Sequence, residues 1–299
     1  MRIGVDLGGT KIEGIALDNG GSVLARQRRN TPRANYQDTL SAIVELIHDL
    51  EDGLPTPGTI GIGTPGAISP ATGALKNANS THLNHHRLHR DLTARLGREV
   101  RIANDANCFA LSEAIDGAAA NDLVVFGVIL GTGTGAGVVI NGHVLTGPNA
   151  IAGEWGHNPL PWPRPEELPG PPCYCGHTGC IETFLSGPGM ASDFYAASGR
   201  RLSPAEIVAA ARTHDLRAES ILATYEDRLA RGLAHVINIL DPDTIVLGGG
   251  MSNIERLYEN VPKLWGRYVF SDRVDTKLVP PVHGDASGVR GAAWLWPAS

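Results

Sequence analysis

The sequence predicts a duplicated α/β fold built from two related domains that face one another. A pattern of strand, glycine turn, second strand and Asn-Gly hairpin begins at Gly4 and is repeated from Gly127. Repetition of this kind indicates duplicated domains. Apolar strand patterns also alternate with amphipathic helix patterns, as in α/β proteins. With 299 residues, of which 42% are hydrophobic and 19% charged, the chain can fill two cores.

The first half of the chain opens with a strand pattern, because apolar residues alternate with Gly4 and Asp6 from Ile3 to Leu7. Apolar residues then recur every three or four positions from Tyr36, which is typical of an amphipathic helix. Residues 69–86 show no clear period and are expected to form a polar loop. We expect strands at residues 3–7, 12–17, 22–28, 59–63 and 100–103, and helices at 36–50, 88–96 and 106–115.

The second half is mostly helical in pattern after the repeated glycine turn. Ser203-Pro204-Ala205-Glu206 predicts the start of a helix, because serine caps it, proline fits its first position and glutamate bonds back to the cap. We expect a long helix at 217–240, a strand at 244–247 and a helix from about 287 to 296. The expected domains are residues 1–108 plus about 287–299, and residues 109–286.

Charge and composition exclude several classes of protein. The formal net charge is -6 and the pI is near 6.0, which argues against a broad surface for nucleic acid or membrane. The N-terminal residues show no apolar signal-peptide core, and no apolar run approaches the ~20 residues that a membrane helix needs. We therefore expect a soluble, cytoplasmic protein without a nucleic-acid or membrane partner.

Cysteine usage indicates a metal site. The cysteines crowded into one short segment are Cys173, Cys175 and Cys180. In a reducing cytosol such crowding favours metal over disulfides, and three thiolates with one histidine complete a structural zinc site. Both His157 and His177 are candidates for the fourth ligand, and free thiols in a buried loop are the alternative. Cys108 stands alone and is expected to be a buried apolar residue.

Glycine-rich turns follow three apolar strands: Gly8-Gly9-Thr10-Lys11, Gly131-Thr132-Gly133-Thr134-Gly135 and Gly248-Gly249-Gly250. Glycine lets the backbone approach a phosphate, while amide, hydroxyl and ammonium groups donate to its oxygens. The turns match neither a Walker A loop nor a dinucleotide fingerprint. One such turn is weak evidence, because ordinary tight turns also use glycine, but three at strand ends favour a phosphate-bearing ligand.

Six motifs extend over almost the whole chain: Asp6-Leu7-Gly8-Gly9-Thr10-Lys11, Asn104-Asp105-Ala106-Asn107, Leu130-Gly131-Thr132-Gly133, Gly153-Glu154-Trp155-Gly156-His157, Cys173-x-Cys175-Gly176-x-x-Gly179-Cys180-x-Glu182 and Leu247-Gly248-Gly249-Gly250. In this order they resemble the ROK sugar kinases, members of the larger actin, sugar kinase and heat-shock-ATPase fold. The resemblance implies a duplicated ribonuclease H-like fold with two domains flanking an active-site cleft.

Asp105 is the candidate catalytic base. Phosphoryl transfer to a sugar needs a group that takes the hydroxyl proton, and a nearby aspartate suits this role. Capping of the following helix by Asn104 or Asp105 is the structural alternative. The resemblance places Asp105 at the family's catalytic position.

The resemblance also assigns the sugar and metal contacts. It selects His157 as the fourth zinc ligand, and the zinc would then hold His157 and Glu182 without taking part in the chemistry. A solvated surface carboxylate is the alternative for Glu154 and Glu182. The expected sugar-binding residues are Gly66, Asn79, Asn104, Asp105, Glu154, His157 and Glu182.

The ATP side is expected to use the glycine turns. Mg²⁺ would arrive with ATP and keep most of its waters, with Asp6 as an outer partner. The expected ATP-binding residues are Gly4, Asp6, Gly8, Gly9, Thr10, Lys11, Gly131, Thr132, Gly133, Thr134, Gly135, Gly249 and Gly250.

The predicted function is an ATP-dependent hexose kinase, most similar to bacterial fructokinases of the manno(fructo)kinase type, which convert D-fructose and ATP to fructose 6-phosphate and ADP. N-acetylglucosamine kinase or glucokinase is the alternative within the family. A sugar-sensing regulator is an alternative of a different class, although no helix-turn-helix is expected ahead of Asp6. The family resemblance further implies a homodimer. The proline-rich residues 159–172 are expected to form a lid or an interface.

Overall fold

The fold is known from a computed structural model, which describes residues 1–32, 35–54, 56–78 and 80–297. The strands are Arg2–Leu7 (β1), Lys11–Leu17 (β2), Val23–Asn30 (β3), Thr59–Thr64 (β4), Ala67–Ile68 (β5), Leu75–Lys76 (β6), Val100–Asn104 (β7), Val124–Leu130 (β8), Thr134–Ile140 (β9), His143–Val144 (β10), Thr244–Gly248 (β11) and Lys277–Val279 (β12). The α-helices are Tyr36–Glu51 (α1), Leu88–Leu96 (α2), Asp105–Ile115 (α3), Ile181–Leu185 (α4), Gly187–Ser198 (α5), Pro204–Arg212 (α6), Leu216–Leu240 (α7), Arg256–Trp265 (α8) and Ser287–Ala293 (α9).

Within the described residues, the large sheets both have five strands, in the orders β3-β2-β1-β4-β7 and β10-β9-β8-β11-β12. In the first sheet β1 pairs antiparallel with β2 and parallel with β4, and β4 continues parallel to β7. In the second sheet β11 runs parallel to both β8 and β12. Each sheet thus has hairpin strands on one side and parallel strands on the other, and the predicted duplication is confirmed.

The first sheet is covered on one face by α1 and α2. Ile3, Val5 and Leu7 are buried there against α1 residues such as Ile43 and Ile47. Because side chains alternate across a strand, Gly4 and Asp6 lie on the other face, where α9 packs. The sequence period of β1 therefore separates a core face from a face that carries Asp6.

The second sheet belongs to a helix-rich part of the chain. The long helix α7 begins after Asp215, whose carboxylate accepts hydrogen bonds from the N–H groups of Arg217 and Ala218. The predicted start of α6 is confirmed, since Ser203 and Glu206 form a reciprocal capping box. Among the described residues, no helix is both long enough and apolar enough to cross a membrane.

The segment expected to be a polar loop, residues 69–86, contains the short strand β6, which pairs with β5. The Asn84 side chain bonds both the N–H and the carbonyl of Ala78 at 2.9 Å. This side chain takes the place of a backbone partner for Ala78, a contact that no apolar periodicity in the sequence could reveal.

The described residues form two compact units, 1–121 with 137–152 and 282–299, and 122–136 with 153–281. The first unit also takes in residues 109–121, 137–152 and 282–286, which the sequence-based division assigned to the second domain. The division at residues 108 and 287 stays a prediction about folding domains.

Candidate active site

Asp105 is the first residue of α3 and directly follows β7. The cap of this helix is supplied by Asn104, whose side-chain oxygen accepts a hydrogen bond from the N–H of Ala106 at 2.8 Å. Asp105 Oδ1 shares the same N–H at 2.8 Å, and the residue is exposed. Asn104 therefore acts as the cap of α3, and the helix does not depend on the Asp105 carboxylate for this role.

Asp6 lies near the end of β1 in a site shaped by two glycines. A Cβ added at Gly63 would lie 3.7 Å from Asp6 Oδ1, and one at Gly288 would lie 3.4 Å from Oδ2. The pKa of Asp6 is raised from 3.8 to about 6, mainly by burial and also by the carboxylates of Asp105 and Glu13. This concentration of negative charge favours a cation next to Asp6.

Cys108 lies in the same unit and is fully buried, as predicted. Burial, together with the Asp6 and Asp105 carboxylates, raises the pKa of its thiol well above the ordinary value. A neutral thiol of this kind is a packing group and a poor nucleophile.

Gly66 and Asn104 are linked in the first unit, since Asn104 Nδ2 donates to the Gly66 carbonyl at 3.3 Å. Gly66 has a φ of 81°, and a Cβ there would lie 2.3 Å from the Lys76 carbonyl oxygen. Only glycine fits this turn without strain. Asn79, which was expected to bind sugar, lies outside the described residues.

The first glycine turn joins β1 to β2 and exposes Gly9, Thr10 and Lys11. Its base is closed by a hydrogen bond from Gly8 N–H to the Lys11 carbonyl at 3.0 Å. Thr31, which the sequence analysis missed, also holds the turn, because its hydroxyl donates to the Gly8 carbonyl at 2.7 Å. The position of Thr31 directly after β3, which pairs with β2, is the signal that could have identified it.

Gly4 has a packing reason to be glycine. A Cβ at this position would lie 2.1 Å from the Val289 carbonyl oxygen and 2.7 Å from the Ala293 nitrogen, so the bare backbone lets α9 approach β1. The expected ATP contact of Gly4 stays a prediction.

The second glycine turn, Gly131 to Gly133, is built into its surroundings. Thr134 N–H donates to Glu182 Oε2 at 2.8 Å, and Gly187 N–H donates to the Gly131 carbonyl at 2.8 Å. Thr134 itself is buried and begins β9. The N–H of Thr134, expected to contact phosphate, is therefore already engaged, and the exposed part of this turn centres on Thr132.

Gly249 and Gly250 follow β11, the strand next to β8. Gly249 has a φ of 77°, and a Cβ there would lie 2.4 Å from the Leu130 carbonyl oxygen. The third glycine turn thus lies directly against the end of β8, from which the second turn begins. Both turns belong to the same unit.

The metal-like cluster consists of His157, Cys173, Cys175 and Cys180, whose ligand atoms all lie within 4.8 Å of one another. Cys175 Sγ lies 3.6 Å from Cys180 Sγ, and Cys173 Sγ lies 3.6 Å from His157 Nδ1. His177, the other candidate, is exposed and is not part of this group. Three sulfurs and one ring nitrogen at these separations suit a tetrahedral thiophilic ion such as Zn²⁺.

The thiols of this cluster have different acidities. Burial raises the pKa of Cys180 to about 12, whereas a hydrogen bond from the His177 N–H is the main cause that lowers the pKa of Cys175. A bound cation would favour the thiolate form of all three sulfurs.

His157 has its second ring nitrogen engaged. Its Nε2 lies 2.9 Å from the hydroxyl of Tyr174, and the two rings meet edge to face. His157 was expected to contact the sugar, and Tyr174 is a partner that the sequence did not reveal. The phenol hydroxyl can instead orient the imidazole so that Nδ1 faces the cysteines.

Glu154 is exposed at the start of the short helical turn Trp155–His157. Trp155 anchors that turn, because it is buried against Phe126 and its indole N–H donates to the Gly232 carbonyl at 3.3 Å. Gly156 lies against β9, since a Cβ there would be 2.0 Å from the Thr134 carbonyl oxygen. The segment that carries His157 is thus packed directly on the second glycine turn.

Comparison with protein families shows that residues 2–299 match the ROK family. Among curated proteins, the N-acetyl-D-glucosamine kinase of Photobacterium profundum is 40% identical over 99% of both chains. The enzyme of the same name from Pasteurella multocida is also 40% identical over 99% of both chains.

Among solved structures, a ROK hexokinase from Thermus thermophilus has a TM-score of 0.88 and 31% identity, covering 98% of this chain and 97% of its own. A ROK glucokinase from Streptomyces griseus, in complex with glucose and AMPPNP, has a TM-score of 0.77 and 27% identity, covering 100% and 99%.

Proposed function

Since this chain belongs to the ROK family and is an ATP-dependent sugar kinase, we propose that its substrate is N-acetyl-D-glucosamine. The observation that carries this proposal is full-length similarity, at 40% identity, to enzymes named for that sugar. The proposal replaces fructose, which the sequence motifs favoured, with the alternative from the same family. Glucose is the next candidate, because the Streptomyces griseus structure contains it at 27% identity.

We assign the proton transfer to Asp105. Its carboxylate is exposed at the start of α3, and Asn104 supplies the helix cap beside it. An aspartate in this position can accept the proton of the sugar hydroxyl as that oxygen attacks the γ-phosphorus of ATP. The bond from the γ-phosphorus to the bridging oxygen breaks, and ADP leaves.

The Asp6 site supports a cation that accompanies ATP. Its raised pKa of about 6 results from burial and from neighbouring carboxylates, and both effects are relieved by a nearby positive charge. Mg²⁺ would lie near Asp6 with most of its waters retained and would neutralise charge on the transferred phosphoryl group.

The sugar would be bound by Glu154, Glu182 and the His157 segment. Carboxylates accept hydrogen bonds from adjacent hydroxyls, and the bond from Thr134 N–H uses only one of the two Glu182 oxygens, Oε2. Zinc would hold His157 and the three cysteines as a structural ion, since four protein ligands leave no open position for chemistry. We also propose that the protein is a homodimer, which light scattering would test.

A coupled ADP-release assay on the purified protein tests the substrate proposal. N-acetylglucosamine, glucose, mannose and fructose are compared by kcat/KM under the same ATP and Mg²⁺ concentrations. We expect N-acetylglucosamine to have the highest value. Preference for fructose or glucose would overturn the substrate proposal, and lack of turnover of any sugar would favour a sugar-sensing regulator.

A further inference from the structure

The metal-like cluster combines His157 with three cysteines that begin at Cys173, sixteen positions later in the chain. The residues between them form a long connection. A flexible connection of this length would cost entropy each time the four ligand groups came together. The connection is rich in proline, with residues Pro159, Pro161, Pro163, Pro165, Pro169, Pro171 and Pro172. Proline has no N–H to donate, so backbone pairing is limited to isolated bridges such as those of Pro159 with Cys180 and Pro172 with Thr178.

A buried carboxylate holds the middle of the segment. Glu167 is 5% exposed, and its oxygens accept hydrogen bonds from Arg231 at 2.7 and 2.9 Å and from Arg228 at 2.8 Å. The N–H of Arg164 donates a further bond at 2.8 Å. Burial alone would raise the pKa of Glu167, but these hydrogen bonds outweigh it and lower the pKa to about 2. Glu167 is therefore charged throughout the physiological range.

Arg231 provides the other half of this contact from α7. It is 1% exposed and also donates to the carbonyls of Pro161 and Trp162, at 3.2 and 2.9 Å. Asp227, one turn earlier on α7, accepts from Arg231 at 3.0 Å. The buried Arg231 guanidinium thus donates hydrogen bonds to two backbone carbonyls of the proline-rich segment, in a place that water does not reach.

The clamped segment in turn supports the cysteine loop. Leu160 N–H donates to the Gly179 carbonyl and Gly179 N–H donates to the Pro171 carbonyl, both at 2.9 Å. The N–H of Ile181, next to Cys180, donates to the Asn158 carbonyl at 2.9 Å. Contacts therefore run from α7 through Glu167 and the proline-rich residues to both sides of the ligand cluster.

We propose that Glu167 and Arg231 are positioning residues for the metal site, which hold residues 158–172 on α7 so that His157 and the three cysteines stay together as a set. The proposal rests on the zinc site of the proposed function. It also means that the proline-rich segment is a fixed support rather than a lid. Its ion pair with α7 joins Glu167 to Arg231, and both of these side chains are buried.

The test compares Arg231→Met with Arg256→Met in the full-length zinc-loaded protein. Arg256 is a matched control, because it also pairs with carboxylates of α7. Its ion-pair partners among the described residues are Glu219 and the buried Glu226, both outside the proline-rich segment. Zinc transfer to a chromogenic chelator is measured for each variant. We expect Arg231→Met to lose zinc affinity by about 10-fold or more, the range seen when residues that orient metal ligands are changed, while Arg256→Met stays near wild type.

A Co²⁺-substituted protein gives a second measurement, because thiolate-to-cobalt absorption reports the ligand set directly. We expect a changed spectrum in Arg231→Met and an unchanged one in Arg256→Met. Glu167→Gln, which keeps the shape of the side chain, carries the test if Arg231→Met does not fold. Equal zinc affinities in the variants and the control would overturn the proposal. Absence of zinc from the wild-type protein would instead overturn the zinc part of the proposed function.

Discussion

The Asp105 region of the first unit and the metal-like cluster region of the second differ in what holds their functional side chains in place. Asp6 lies near the end of β1 and Asp105 directly follows β7, and both strands pair with β4, which lies between them in the same sheet. Glu154, His157 and Glu182 instead lie on loops and short helices, which are held by a ligand cluster, a buried ion pair and the Thr134 hydrogen bond.

This difference has a physical cause. A side chain at the end of a paired strand inherits its position from the sheet, because the backbone on one side is already hydrogen-bonded. A side chain on a long loop has no such support, so cross-links must replace it. The Asp105 region should therefore tolerate loss of the metal, whereas the region that carries Glu154, His157 and Glu182 should depend on it.

The largest expected effect is that of Asp105→Asn on turnover. Removal of the base should lower kcat by about 10²- to 10⁴-fold, while the free energy of unfolding changes little because Asn104 still caps α3. Steady-state kinetics and thermal unfolding, measured on the same preparation, test both parts. Normal turnover in the variant would show that another group accepts the proton.

Loss of a metal ligand should affect the second region alone. Cys175→Ser should lower zinc content and raise the KM for sugar by about tenfold or more, whereas the matched variant His177→Ala should retain zinc, since His177 is outside the cluster. Elemental analysis and substrate kinetics provide the measurement. Zinc loss on changing His177 would contradict the choice of His157 as the fourth ligand.

Glu182→Gln should have a smaller effect, which should appear in the KM values for both sugar and ATP. The neutral amide accepts a weaker hydrogen bond from Thr134 N–H than the carboxylate does, so the second glycine turn loses part of its support. We expect the KM values for sugar and for ATP each to rise by about tenfold or less. Glu154→Gln is the comparison, and it should change the KM for sugar only. An unchanged KM for ATP in Glu182→Gln would separate Glu182 from the glycine turn.

The smallest expected effect is the pH dependence due to Asp6. The folded protein holds the Asp6 proton more tightly than the unfolded chain, because burial raises its pKa from 3.8 to about 6. This group therefore contributes stability that is fully present below about pH 4 and is lost as the pH rises through about 6. Asp6→Asn should remove that contribution, and urea unfolding at several pH values measures it. An identical pH dependence in both proteins would contradict the raised pKa.

The effect of Asp6 on activity should have the opposite pH dependence to its effect on stability. If the charged form of Asp6 attracts Mg²⁺, the rate should fall as the pH drops below about 6, and added Mg²⁺ should move this fall to lower pH. Rate measurements between pH 5 and 8 at two Mg²⁺ concentrations test this point.

Much of the fold followed from local patterns. The alternation in β1, the apolar spacing of α1 and the Ser203 capping box are short-range features, and a duplicated glycine pattern was sufficient to predict two related α/β domains. The ordered part of residues 69–86 was missed, because Asn84 holds it through a side chain rather than through periodic burial. The role of Thr31 was missed for a similar reason, since its contact with Gly8 crosses from one strand to another.

The sequence by itself was sufficient to identify the kinase family, because six motifs in a fixed order resemble the ROK family. The crowding of three cysteines also predicted them as metal ligands, and the resemblance predicted Asp105 as the base; both stay predictions. Only the tertiary structure decided that Asn104 caps α3 and that Glu182 already bonds Thr134. It also places His157 rather than His177 beside the cysteines, as the family resemblance implied. It also showed Arg231 clamping the proline-rich segment through Glu167. These outcomes depend on distances between residues far apart in the chain, and such distances are set by packing and by the satisfaction of buried polar groups rather than by local pattern.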